Sequence, residues 1–115
     1  MRASSLSNRL NDWPTQKEQR LQLGDQLDQP REIDHFLYFR RRANAEAAAQ
    51  ALAGAGFRVA VESGLLRTAL AASREDALTD ADVARVIQEL VGIAEAHGGR
   101  YDGFGGTIVP AADGS

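Results

Sequence analysis

The stretch FRVAVESGLLRTALAAS, residues 57 to 73, decides the fold of this chain of 115 residues. In its first half, large apolar side chains alternate with Arg58, Ala60 and Glu62, which is the period of a strand with one buried face. Ser63-Gly64 predicts a tight hairpin turn, and LLRTALAAS returns as the next strand. Two strands in succession between helical segments are typical of an α+β fold.

The segment before this hairpin predicts a strand followed by a helix. EIDHFLYFR (residues 32–40) is rich in β-branched and aromatic side chains, as strands are. ANAEAAAQALAGAG (residues 43–56) is alanine-rich and helical. Asn44 is its expected N-cap, and Gly54 or Gly56 is expected to end it.

The segment after the hairpin predicts a second helix and a last strand. Thr79 and Asp82 form a capping box, which opens a helix that extends to about His97. Apolar side chains recur along it at the helical period and form one stripe: Val83, Val86, Ile87, Leu90, Val91 and Ala94. GTIV (residues 106–109) predicts a short strand that Pro110 closes.

The order from Glu32 onward is therefore β-α-β-β-α-β. This order predicts a ferredoxin-like antiparallel sheet with strand order 4-1-3-2 and both helices on one face. The expected domain covers residues 32–109, and residues 110–115 are expected to form a short disordered tail.

Residues 1–31 predict a helical N-terminal extension that ends in a loop. Leu6, Leu10 and Trp13 have helical spacing. Pro14 is expected to begin a second short helix, which stops at Gly24.

The glycine-rich stretch HGGRYDGFGG, residues 97–106, does not predict a nucleotide site. A phosphate-binding loop precedes a helix, whereas these glycines follow one and meet its negative end. Gly98 or Gly99 is expected as the left-handed residue after the helix. Asp102-Gly103 is expected to form a turn, and Gly105-Gly106 to begin the last strand.

No pattern for catalysis or metal binding stands out. The chain has no cysteine, which removes disulfides, thiolate catalysis and cysteine-zinc sites. His35 and His97 are far apart with no third ligand at a recognisable spacing, and no G-x-S-x-G motif is present. We therefore expect no enzyme activity, no catalytic residue, no cofactor and no metal.

Charge and hydropathy restrict the class of partner. The net charge of −3 argues against direct nucleic-acid binding, and the strand LLRTALAAS lacks the aromatic residues of an RNA recognition module. The basic run at residues 40–42 indicates a solvated strand end or, alternatively, a contact with RNA or an acidic partner. No apolar run is long enough for a membrane span or a secretory signal, so a cytoplasmic protein is expected.

The chain resembles the bacterial regulator of ribonuclease activity B (RraB) family in three stretches. They are GDQLDQPREIDHFLYF (residues 24–39), AAAQALAGAGFRV (residues 47–59) and LVGIAEAHGGRYDGF (residues 90–104). The resemblance extends over roughly residues 20 to 109. It departs from the family pattern at Phe104, where the family usually has tryptophan.

The resemblance implies a ferredoxin-like fold and a regulatory, non-enzymatic protein that binds endoribonuclease E and inhibits it. Matching positions that are interaction candidates, or else structural, are Pro30, Arg31, Tyr101, Asp102, Gly103 and Phe104. The alternative function is a small-molecule-binding or dimerisation module of the same fold.

The strand at residues 32–40 adds two more interaction candidates. Phe36 and Tyr38 share one parity and Leu37 and Phe39 the other, so one aromatic set must lie on the sheet face without the crossover helices. We expect Phe36 and Tyr38 on that face. Its expected cover is the N-terminal segment with Leu6, Leu10 and Trp13, a second copy of the chain, or a protein partner.

Overall fold

The computed structural model describes residues 5–111, in which three helices and four strands follow one another. Their bounds are α1 Ser5–Gln22, β1 Arg31–Phe39, α2 Arg42–Gly54, β2 Arg58–Ser63, β3 Thr68–Asp76, α3 Asp80–Ala96 and β4 Gly99–Gly106. From β1 onward the order is β-α-β-β-α-β, as the sequence predicts. The expected tail at residues 112–115 and the first four residues of the extension lie outside the described residues.

The four strands form one antiparallel sheet in the order β2-β3-β1-β4. Read from the β4 edge, this order is 4-1-3-2. The central strand β1 pairs with β3 along its whole length, so that Phe36 lies opposite Ala71 and Leu37 opposite Leu70. The prediction of an α+β fold with an antiparallel sheet is confirmed.

The side chains of β1 are buried on one face only. Ile33, His35, Leu37 and Phe39 are buried in the core, while Phe36 is 43% exposed. On the buried side α2 packs against β1, β2 and β3, and α3 packs against β4 and α2. The expected parity of β1 is therefore confirmed.

The two helices that pack on the sheet, α2 and α3, differ in their N-terminal caps. At α3, Thr79 Oγ1 accepts a hydrogen bond from the Asp82 amide at 3.1 Å, so the predicted cap is confirmed. The prediction that Asn44 caps α2 is wrong, because that helix begins at Arg42 and Arg41 occupies the cap position in an extended conformation. Ala45, in the first turn of this helix, and Ala48 are completely buried, so the helix is packed against the core from its first turn.

The N-terminal extension is a single helix and not two. The helix α1 runs through Pro14 without a break. Trp13 and Lys17, one helical turn apart on either side of this proline, both donate hydrogen bonds to the Asp80 carboxylate. Tertiary contacts thus outweigh the helix-breaking tendency of proline.

The hairpin between β2 and β3 is longer than Ser63-Gly64 predicts. Residues 64–67 connect the strands, and the Gly64 amide donates to the Arg67 carbonyl at 2.8 Å. Leu65 and Leu66 therefore lie in the turn and not in β3, and they are 99% and 88% exposed. The two leucines look like the start of a strand, but cross-strand pairing begins only at Thr68 opposite Ser63.

The last strand is the glycine-rich stretch itself. β4 covers residues 99–106, so the predictions of a strand at GTIV and a turn at Asp102-Gly103 are wrong. Gly98, with φ +73°, makes the left-handed turn after α3, as expected. Gly103, with φ +117°, lies at a β-bulge opposite Phe36. The hydrogen-bonded pairing of β4 with β1 therefore outweighs the low strand propensity of glycine.

Candidate interaction surfaces

Neither a metal centre nor a membrane-spanning segment is found in the described residues. Within residues 5–111, no three histidine or acidic side chains are grouped closely enough to hold a metal ion. In the same part of the chain, every helix is too short or too polar to cross a bilayer. The remaining candidates are surfaces of the sheet and of α1.

Arg31, one of the interaction candidates, lies in a buried cluster around Asp25. The Asp25 carboxylate accepts hydrogen bonds from Arg31 at 2.8 Å and from Arg20 at 3.1 Å, and the Val109 amide donates to its other oxygen. Arg31 also donates to the Thr107 carbonyl. The cluster ties the end of α1 to the start of β1 and to the segment after β4.

The charge balance of this cluster explains why Asp25 is ionised. Burial by itself raises the pKa of the Asp25 carboxyl, but hydrogen bonds from Arg31, Val109 and Arg20 outweigh it and hold the pKa below its ordinary value. All Arg31 hydrogen bonds are internal, whereas the neighbouring Pro30 is exposed. Of this pair, only Pro30 is directly available to a partner.

The other candidates from the glycine-rich stretch border a groove between α1 and β4, here called the α1–β4 groove. It has a volume of about 200 Å³. The lining residues are Arg9, Asp12, Trp13, Gln16, Ile87, Tyr101, Asp102, Gly103 and Phe104. The four residues Tyr101–Phe104 thus form one wall of the groove, and α1 forms the other.

The bulge at Gly103 determines how this wall is presented. The ring of Phe104 is half-buried and lies 6.1 Å from the Trp13 ring, and the Asp102 side chain is exposed. Arg9 reaches across the groove and donates to the Asp102 carbonyl at 3.4 Å. The groove therefore combines aromatic rings with accessible groups of both charges.

Tyr101 belongs to the core beneath this groove. It is only 2% exposed, and its hydroxyl lies 2.9 Å from His35 Nδ1. Burial raises the pKa of Tyr101 and, together with the nearby charge of Arg74, lowers the pKa of His35 to about 4. Both side chains are therefore neutral at pH 7.

One carboxylate holds α1 in place along the groove. Asp80, at the start of α3, accepts hydrogen bonds from Trp13 Nε1 at 2.9 Å and from Lys17 Nζ at 3.0 Å. These two donors lower the pKa of Asp80. The position of one groove wall thus depends on a contact between residues far apart in the chain.

A second surface is the sheet face opposite α2 and α3, here called the open face. Phe36 and Tyr38 stand on it over a floor of small side chains from β2 and β3: Ala60, Ala69 and Ala71. The expectation that the N-terminal helix covers this face is wrong. Leu6, Leu10 and Trp13 pack against the core, and α1 lies on α3 and β4, where Trp13 donates a hydrogen bond to Asp80.

The structure separates the candidate residues into two surfaces and a core. Asp102, Gly103 and Phe104 meet at the α1–β4 groove, and Phe36 and Tyr38 share the open face. Sequence reasoning missed Arg9 and Arg67. The guanidinium of Arg67 stands 3.8 Å above the Tyr38 ring, but it precedes a strand whose start was misplaced, so no local signal indicated its position.

Comparison with known families agrees with the resemblance seen in the sequence. The family model described as regulator of ribonuclease activity B matches residues 17–106. This range begins within α1 and ends with β4, so it includes the whole sheet and the β4 wall of the groove, whereas the α1 residues that line the groove precede it. No curated protein matches the chain closely enough to count as a relative. The chain therefore belongs to the regulator of ribonuclease activity B family.

Proposed function

We propose that this protein binds an endoribonuclease of the ribonuclease E type and lowers its RNA-cleaving activity by direct contact. The family match over residues 17–106 carries this proposal, because the family description is that of a ribonuclease regulator. The protein acts without catalysing a reaction itself. We also propose that it acts in the cytoplasm, where RNA is processed.

The α1–β4 groove is the proposed contact site for the nuclease. It brings together Asp102, Gly103 and Phe104, the end of the most specific stretch of the resemblance. Aromatic residues are enriched in protein interfaces, and the exposed charged groups around the half-buried Phe104 ring resemble the polar rim of such a contact. Tyr101 and Arg31 support the contact from within the core, because they hold β4 and β1 in position.

The ferredoxin-like classification of the domain is part of the same proposal. The strand order and the packing of α2 and α3 on one side of the sheet support it. In such an arrangement the ends and edges of the sheet remain accessible, and the β4 edge is the one that borders the groove.

A cleavage assay with purified nuclease tests the proposal. Adding the protein is expected to slow cleavage of a single-stranded RNA substrate in a saturable manner, and immobilised protein is expected to retain the nuclease. Asp102→Lys reverses an exposed charge at the groove and is expected to weaken both effects. Glu95→Lys, on the exposed side of α3, is the matched control and should leave both unchanged. Unchanged cleavage at saturating protein would refute the proposal.

A second candidate function is the binding of a small molecule in the same groove. The volume of about 200 Å³ and the polar side chains of Arg9, Asp12 and Gln16 beside Trp13 favour a small polar ligand. A thermal-shift screen of small polar metabolites separates the two functions. A saturable rise in Tm that is lost in Arg9→Ala would support the ligand, and its absence would exclude it.

A further inference from the structure

The open face carries a charge pattern that reverses from one end to the other. Glu32 on β1 lies four residues before Phe36, and Arg40, which directly follows β1, lies four residues after it. At β3 the order is opposite, with Arg67, which directly precedes the strand, four residues before Ala71 and Glu75 four residues after it. Because β1 and β3 are antiparallel, the two acids lie at one end of the face and the two arginines at the other.

At each end of the face, the edge strand β2 carries the charge opposite to that of β1 and β3. Arg58 lies two residues before Ala60, and Glu62 lies two residues after it. Arg58 is at the acidic end of the face, where it forms an ion pair with Glu32. β2 thus has opposite charges on the two sides of an uncharged residue, and so do β1 and β3 when the flanking Arg40 and Arg67 are included.

The three midpoints lie side by side in one row. Phe36 pairs with Ala71, and Ala71 pairs with Ala60 on its other side. On β4 the partner of Phe36 is Gly103. This row, here called the central row, crosses the sheet at right angles to the strands. Three pairs of opposite charges lie at equal distances on its two sides: Glu32 and Arg40, Glu75 and Arg67, and Arg58 and Glu62. The other two charges of the face, Asp34 and Arg100, have the uncharged Tyr38 and Gly105 as their counterparts.

We propose that two copies of this chain form a dimer through their open faces, with the twofold axis along the central row. The twofold rotation places each strand opposite the same strand of the second copy, with the two strands running in opposite directions. Glu32 then faces Arg40 of the second copy, Glu75 faces Arg67, and Arg58 faces Glu62. A twofold interface must be self-complementary, and this surface meets that condition.

Other occupants fit the same charges less well. A twofold axis parallel to the strands would place the Glu32 ends together and the Arg40 ends together, so like charges would oppose each other. A partner of one sign, such as an acidic peptide, would be attracted at the Arg67 end and repelled at the Glu75 end. The antisymmetric pattern therefore favours a second copy.

Side-chain sizes and the area of the face agree with this geometry. Alanine and glycine form the floor around Phe36, so the two aromatic rings of each copy have space between sheets that pack about 10 Å apart. Four strands of about eight residues cover roughly 500 Å² per copy. This area is at the lower end for specific complexes, which predicts a dimer that dissociates on dilution.

Charge exchange between two variants tests the dimer. Arg67→Glu and Glu75→Arg each replace two attractive contacts with repulsive ones, and each is expected to weaken self-association by roughly tenfold or more. An equimolar mixture of the two variants restores both contacts and is expected to form a heterodimer of about wild-type affinity. Sedimentation velocity over a concentration series, with circular dichroism to confirm folding, is the measurement.

A cross-linking experiment tests the position of the axis without charge changes. The chain has no cysteine, so Ala60→Cys introduces a single thiol at the central row. A short bismaleimide is expected to join two copies of this variant, whereas Ala84→Cys, exposed on α3, should remain uncoupled. Tyr38→Glu places a negative charge opposite Asp34 of the second copy and is expected to abolish the dimer while the domain stays folded.

Three results would overturn the proposal. They are a wild-type chain that remains monomeric up to about 1 mM, single charge variants that associate as well as the wild type, and equal cross-linking at positions 60 and 84. None of these measurements involves a nuclease, so a failure of the dimer and a failure of the proposed function are distinguishable.

Discussion

The Asp25 carboxylate and the Arg31 guanidinium are joined by a hydrogen-bonded ion pair of 2.8 Å that is almost completely buried. Arg20 supplies a second buried cation to the same carboxylate oxygen. The pair gives a physical reason for the GDQLDQPRE stretch, because it closes the loop between α1 and β1 and fastens it to the segment after β4.

Asp25→Asn is expected to destabilise the protein by about 3–5 kcal/mol, because it leaves two guanidinium groups buried without their anion. Urea unfolding at pH 7 measures the loss. Asp28→Asn removes a charge from an exposed position of the same loop, so it should change the stability by less than about 0.5 kcal/mol. Equal effects of the two substitutions would contradict a structural role for the cluster.

His35 is expected to make stability fall as the pH drops from about 6.5 to about 4. Its pKa is lowered to about 4 in the folded protein from 6.5, so in this window the unfolded chain binds a proton that the folded chain does not. The full effect is about 3 kcal/mol. Burial is the main cause of the lowered pKa; the charge of Arg74 on β3 lowers it further, and that of Asp34 on β1 acts in the opposite direction.

The control for this effect is a double substitution, His35→Leu with Tyr101→Phe. It removes both partners of the 2.9 Å contact and leaves neither polar group unpaired. Unfolding measured at several pH values should show a much smaller slope between pH 6.5 and 4 in this variant. The remaining loss should begin below about pH 4, where the lowered pKa of Asp25 becomes important. An unchanged slope would show that another group is responsible.

Gly103→Ala is expected to cost about 1–3 kcal/mol, because φ at this position is +117° and side chains rarely adopt that conformation. Space is not the limit, since no atom lies within 4 Å of the added methyl group. Gly105→Ala meets equally open space with an ordinary φ and is the matched control, expected to change stability little. Thermal unfolding compares the two variants, and similar Tm values would argue against the bulge.

Asp80→Ala is expected to loosen α1 while the sheet remains folded. The substitution removes the acceptor for both Trp13 and Lys17, on either side of Pro14. Hydrogen exchange should become faster in residues 8–22 and stay unchanged in β1 and β3. Asp12→Ala, also exposed but paired only within α1, is the control. Equal protection of α1 in wild type and Asp80→Ala would contradict this role.

The sequence alone could only partly distinguish exposed interaction candidates from residues of the core. The parity of β1 distinguished Phe36 and Tyr38 from the core, because alternation is a local property of a strand. The same reasoning could not show that Arg31 and Tyr101 are buried, since their partners Asp25 and His35 come from other elements. Nor could it show that the charges of three strands are arranged about one row, which requires the register of the sheet.

The sequence by itself determined what depends on neighbours along the chain. These features are the order β-α-β-β-α-β, the cap at Thr79 and the left-handed turn at Gly98, and each follows from spacing or from a single residue type. Tertiary structure decided the rest. Helix α1 continues through Pro14 because Asp80 binds both sides of it, and glycines form β4 because β1 supplies the pairing. The stabilising contacts in these cases join residues far apart in sequence, so no local pattern contains them.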